Sequence, residues 1–165
     1  MDKRHVLFLA LITMLVLSGC HFKAKKAKQY HDDMLHTVQA VIDSSLDYGD
    51  AVQSYEKSRA LQAQEKYSSQ VNNAIAKAEL LKDFDGDTSL QHYSLEMLSF
   101  YKTTLDKNFK PFLTGIAAES FSDQERQTAD SLYQNLTMTE NKYWARFDWA
   151  EKKFYKEHEI GSVEK

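Results

Sequence analysis

Residues 129–154 read ADSLYQNLTMTENKYWARFDWAEKKF, and this stretch decides the fold class. Placed at about 100° per residue, Ala129, Leu132, Leu136, Tyr143, Phe147, Ala150 and Phe154 stay within roughly 40° of one direction. A period of that kind belongs to a helix that buries one face, because a strand would alternate every second residue. The stretch contains neither Gly nor Pro.

Working outward, the same period recurs three more times. Over 90–116 the apolar set is Leu90, Tyr93, Met97, Tyr101, Leu105, Phe109, Phe112 and Ile116. Over 60–82 it is Tyr67, Val71, Ala74, Ala78 and Leu81, in alternating steps of four and three. Over 28–56, Leu35, Val38, Ile42, Val52 and Tyr55 share a face that Met34 and Val41 widen. The breaks between segments carry the right chemistry. Lys82-Asp83-Phe84-Asp85-Gly86-Asp87 is a turn, and Thr88 to Gln91 has the spacing of a capping box. Ser122 to Glu125 repeats that spacing after a break near 119–121. No Gly or Pro lies between 50 and 82, yet one helix over 28–82 would run ~80 Å, so a turn is expected within 48–60. Pro111 should kink the third helix or end it early. The fold expected is all-α, an antiparallel up-down four-helix bundle.

The N-terminus has a different character. Lys3 and Arg4 precede Val6–Leu17, an uncharged apolar run of 12 residues. That suits a secretory signal and falls short of the ~20 residues a membrane span requires. The run ends in Leu17-Ser18-Gly19-Cys20, which resembles a lipobox, the recognition sequence of bacterial prolipoprotein processing. The resemblance implies cleavage after Gly19, with Leu17, Ser18 and Gly19 read by the signal peptidase and Cys20 carrying the lipid. Cys20 is the only cysteine in 165 residues, so an intramolecular disulfide is excluded. The organisation expected is a signal over 1–19, a lipidated tether over 20–29 and a bundle over 30–165. Four lysines within 23–28 make the tether basic, read as a solvated spacer or as a contact for anionic head groups. Position 21 is His rather than the Asp that retains enteric lipoproteins in the inner membrane, so for a Gram-negative cell the resemblance implies the outer membrane.

Charge and composition exclude several functions. The signal holds two basic residues and one acid of the 21 and 24 in the chain, leaving 19 basic and 23 acidic residues after cleavage. A near-neutral chain lacks the basic field that nucleic-acid binding needs. No Gly-rich phosphate loop, Cys-x-x-Cys, His-Glu-x-x-His or nucleophile motif occurs, so no catalytic residue and no cofactor are expected. In the Asp83–Asp87 turn, calcium-loop positions six and twelve are Thr88 and Ser94, where Gly and Glu belong, so no metal is expected there. His31, Asp32, Asp33 and His36 lack zinc-ligand spacing and read as a solvated polar face.

Three aromatic residues on the last helix stand apart from its buried face. Trp144 and Tyr155 sit ~100–120° from its centre and Trp149 at ~240°. Large rings outside a core are candidates for a partner surface. The order of lipobox, Tyr30-x-x-Asp33, the turn Lys82–Leu90 and Ser99-Phe100-Tyr101-Lys102 is similar to a family of bacterial surface lipoproteins with no established activity. That resemblance implies a helical fold and no site. The expected function is a non-enzymatic envelope lipoprotein, held to a membrane through Cys20 and presenting a face to another protein. The alternatives are an immunity or inhibitor lipoprotein against a toxin, and a sensor that binds a small ligand within the bundle.

Overall fold

The computed structural model describes the backbone of residues 3–161 and side chains from Phe22 to Gly161, so the side chains of the lipobox, Cys20 among them, lie outside what is described. The described residues form α1 (Lys3–Gln53), α2 (Lys57–Leu80), α3 (Ser89–Thr104), a π-helical turn over Leu105–Phe109, α4 (Lys110–Gly115) and α5 (Asp123–Glu157). The fold is all-α, a helical bundle without strands among the described residues. One apolar cluster runs through it, with Met34, Val38, Tyr48, Leu90, Met97, Tyr101, Phe147 and Phe154 fully buried.

The turn between the first two helices falls at 54–56, within the span expected, and Tyr55 takes left-handed φ there (57°). This turn is tied to the linker before α5. The Lys57 N–H donates to the Glu119 carbonyl (2.7 Å), and the Phe121 N–H donates to the Tyr55 carbonyl (3.0 Å). At the opposite end the Tyr30 hydroxyl donates to the Lys82 carbonyl (2.7 Å), and Phe84 packs on Tyr30, Phe154 and His158. Phe84 and Asp87 exchange both backbone hydrogen bonds around Asp85 (φ 57°) and Gly86 (φ 86°). Two successive positive φ values are the mark of a tight primed turn, which is why Asp-Gly occupies it. The Lys82–Asp87 turn thus marks the basal end of the bundle and the 54–56 turn its distal end.

Two expectations are corrected. The tether is no spacer from Phe22 onward: α1 passes through it, with Ala24 and Ala27 buried and Lys23 paired to Asp85. Thr88 and Gln91 form no capping box. Asp87, one residue earlier, instead accepts from the Ser89 N–H (2.8 Å) and hydroxyl (2.6 Å), while Gln91 donates to the Ala78 carbonyl. The Ser122–Glu125 box is present as expected.

Pro111 does not end the third helix. A proline in an α-helix removes a donor and its ring crowds the carbonyl four residues back, here that of Lys107. The π-helical turn just before it widens the backbone, and the Lys110 N–H reaches back to the Leu105 carbonyl. The wider turn also serves the core. Met97, Tyr101, Leu105, Phe109 and Leu113 are all buried at strict four-residue spacing. A regular α-helix would rotate such a row by about 40° per step, out of the core within four steps. The inserted residue rotates it back, and so Leu113 is fully buried while Phe112 is only partly so.

Candidate interaction surface

The three aromatic residues singled out on α5 meet different surroundings. Trp149 is 53% exposed, its ring edge-on to Tyr93 of α3 (5.7 Å, 81°) with the Lys153 ammonium 5.8 Å from its centre. Trp144 is 41% exposed and lies flat against the core ring Phe147 one turn on (5.4 Å, 1°). Tyr155 is half-buried and stands edge-on to His31 of α1 (4.7 Å). The structure therefore does not bring the three together: Trp149 belongs to the seam between α5 and α3, and Tyr155 to the seam between α5 and α1.

The α3–α5 seam carries a further aromatic pair, Phe100 stacked on Tyr143 (4.6 Å, 19°). Between the two pairs the Arg146 guanidinium donates to the Glu96 carboxylate (3.1 Å). A shallow groove lined by His92, Leu95, Glu96, Phe100 and Tyr143 runs along this seam. Apolar rings framed by one charged pair give a surface that can take a partner's apolar side chain and orient it by charge.

His31 is a correction to the solvated-face reading, for it is only 3% exposed. Its Nδ1 lies 3.0 Å from Asp32 Oδ1 and its Nε2 lies 3.0 Å from Glu151 Oε1 on α5. Partial burial opposes ionisation of Asp32, but hydrogen bonds from His31 and Lys28 outweigh it and hold the carboxyl below its ordinary 3.8. A helical-wheel argument misses this arrangement because the Glu151 partner is 120 residues away. Asp33 and His36 do face solvent-accessible space, on a groove between α1 and α2 that Gln70, Asn73, Lys77 and Leu80 complete.

Two more polar clusters lie outside sequence reasoning. In the core, Tyr48 stacks on Tyr67 (5.3 Å, 20°), Tyr67 meets Tyr101 edge-on, and the Tyr101 hydroxyl donates to Glu140. The hydroxyls of Tyr48 and Tyr67 have no hydrogen-bond partner among the described residues. Burial drives all three phenol pKa values up, with the Glu140 carboxylate adding to the effect on Tyr67 and Tyr101. At the basal end, burial and the charges of Asp87 and Asp83 push Tyr30 up to about 12. Among the described residues no three His, Cys, Asp or Glu side chains are grouped to hold a metal ion. No helix of the described residues is long and apolar enough to cross a membrane.

In comparison with known proteins, the chain matches no family model, and no curated sequence or solved structure is significantly similar to it.

Proposed function

We propose that the chain is an exported bacterial lipoprotein, anchored through Cys20, whose bundle is a non-enzymatic binding module for another protein of the cell envelope. The anchoring half rests on the basic start, the apolar run Val6–Leu17 and Leu17-Ser18-Gly19-Cys20. In a Gram-negative cell, His21 at the position after the lipidated cysteine favours the outer membrane. The bundle is read as up-down, with α1, α2, the continuous α3–α4 segment and α5 alternating in direction. A protein-neutralising role, as in an immunity lipoprotein, would use the same surface.

The observation that carries the binding half is Trp149. An indole more than half in water, seated on Tyr93 among Asp148, Lys152 and Lys153, is of the residue type most enriched among interface anchors. A photoreactive amino acid at position 149, introduced in the native host, should yield an adduct of one defined mass. The same group at Gln134, also exposed on α5, should yield none. Equal labelling at both positions, or none at either, would remove the reading.

A second reading, binding of a small ligand, is favoured by the α1–α2 groove. Its volume of about 790 Å³ is in the range of ligand sites, and Asp33, His36, Gln70, Asn73 and Lys77 offer it donors and acceptors. Lysate metabolites that raise the melting temperature and lose that effect in Asp33→Ala would support it.

A further inference from the structure

We propose that the bundle has no arm between itself and the bilayer and stands directly on a phospholipid surface. Its footing is the basal end: the start of α1 from Phe22, the Lys82–Asp87 turn and the last turn of α5. The inference rests on the reading that Cys20 carries the lipid, and adds to it how the folded part sits.

The first argument is length. Only His21 separates Cys20 from Phe22. Two residue steps, fully extended, span at most ~7 Å. From Lys23 onward the chain already belongs to the body. Ala24 and Ala27 are buried, Lys23 is paired with Asp85, Lys28 with Asp32, and Tyr30 is bonded to the Lys82 carbonyl. Lifting the bundle would require unwinding the first turns of α1 and exposing these contacts. The pairing of Lys23 with Asp85 also sets the Lys82–Asp87 turn beside the Phe22–Lys23 turn of α1, so the two lie at the same end of the bundle.

The second argument is chemistry. Phe22 is 61% exposed, with the Lys26 ammonium 4.5 Å from its ring centre. Lys25, Lys26 and Lys82 are exposed at this end, and so is Lys156 on the last turn of α5. An aromatic ring among lysines suits the head-group layer, where the ring meets the acyl boundary and the ammonium groups meet phosphates. Two of the three turn carboxylates are engaged inside the protein, Asp85 by Lys23 and Asp87 by Ser89 and His158. They therefore oppose the phosphates less than their number implies.

The test uses the full-length lipidated protein in vesicles of phosphatidylethanolamine and phosphatidylglycerol. Lipidation consumes the thiol of Cys20, so a thiol introduced at one position takes a fluorophore there alone. Asp83→Cys labels the basal end and Ala118→Cys the linker at the distal end, about 35 Å away along the helices. With a quencher on the lipid head groups, the position-83 probe should lose most of its emission and the position-118 probe almost none. Inserting ten Gly and Ser residues after His21 should restore much of the position-83 signal. Glu157→Cys, exposed at the same end, replaces Asp83→Cys if circular dichroism shows that the latter does not fold. Equal emission from both ends would overturn the footing while leaving the anchor intact. A protein whose mass lacks the lipid and which does not float with the vesicles would take both readings down.

Discussion

Replacing Tyr67 by Phe should stabilise this protein, although it removes a polar group from a crowded core. Tyr67 is 2% exposed, and its ring lies on Tyr48 and edge-on to Tyr101 at 6.4 Å. Its hydroxyl has no partner among the described residues. A buried hydroxyl without a hydrogen bond costs about 1–3 kcal/mol, since the water it met in the unfolded chain is not replaced. Phe keeps the ring and its stacking. The void left by one oxygen, on the order of 10 Å³ at about 24 cal/mol per Å³, costs only ~0.2 kcal/mol. The net gain is about 1–2 kcal/mol. Tyr101→Phe has the opposite sign. Its hydroxyl donates to the Glu140 carboxylate, and losing a bond to a charged group costs about 1.5–3 kcal/mol. Glu140 is only partly buried and regains water, which sets the cost toward the lower end. Urea unfolding of both variants reads the difference. With a slope of roughly 1–3 kcal/mol per molar, Tyr67→Phe should raise the midpoint by about 0.3–2 M and Tyr101→Phe should lower it. A Tyr67→Phe protein that unfolds at lower urea, with unchanged slope, would refute the reasoning, because its hydroxyl would then be bonded.

Three other perturbations follow from the same contacts. Cys20→Ser should accumulate as an unprocessed precursor that takes up no radiolabelled palmitate, since only a thiol forms the thioether; label in the Ser variant would end the anchoring proposal. Phe147→Ala, at a position with no exposure, should cost ~3–5 kcal/mol, whereas Trp149→Ala forfeits chiefly the edge-on contact to Tyr93, about 0.5–1.5 kcal/mol. Equal losses in calorimetry would mean that the indole is buried. Asp87 sets an acid-side dependence. Burial opposes its charge, but the Ser89 hydroxyl and N–H, Lys153 and His158 outweigh that and hold its pKa below 3.8. A carboxyl depressed in the folded state stabilises above its unfolded pKa, near 4, and that stability is lost as pH falls through the folded value. Asp87→Asn should therefore be less stable than the parent at pH 7, with the gap closing below about pH 4. A gap constant from pH 7 to pH 3 would show that the carboxylate charge contributes nothing.

Local pattern was enough for the helices, the turn within 48–60, the Ser122 cap and the outward position of Trp149. Helical period and capping depend on residues three or four apart, so neighbours in sequence suffice to determine them. The strict four-residue row from Met97 to Phe109 also held a sign of the π-helical turn, since no regular helix keeps such a row on one face. Other features waited for the fold, because they join residues far apart in the chain. His31 reads as solvated until α5 brings Glu151 against it, and the Tyr48–Tyr67–Tyr101 cluster needs three helices at once. Residues 22–29 read as a spacer because their lysines resemble a solvated run. Only the packing of Ala24 and Ala27, and the seat that Asp85 offers Lys23, turn that run into the first turns of the bundle. Burial is a property of the assembled helices, and a sequence records the side of a helix that can be buried without recording what will cover it.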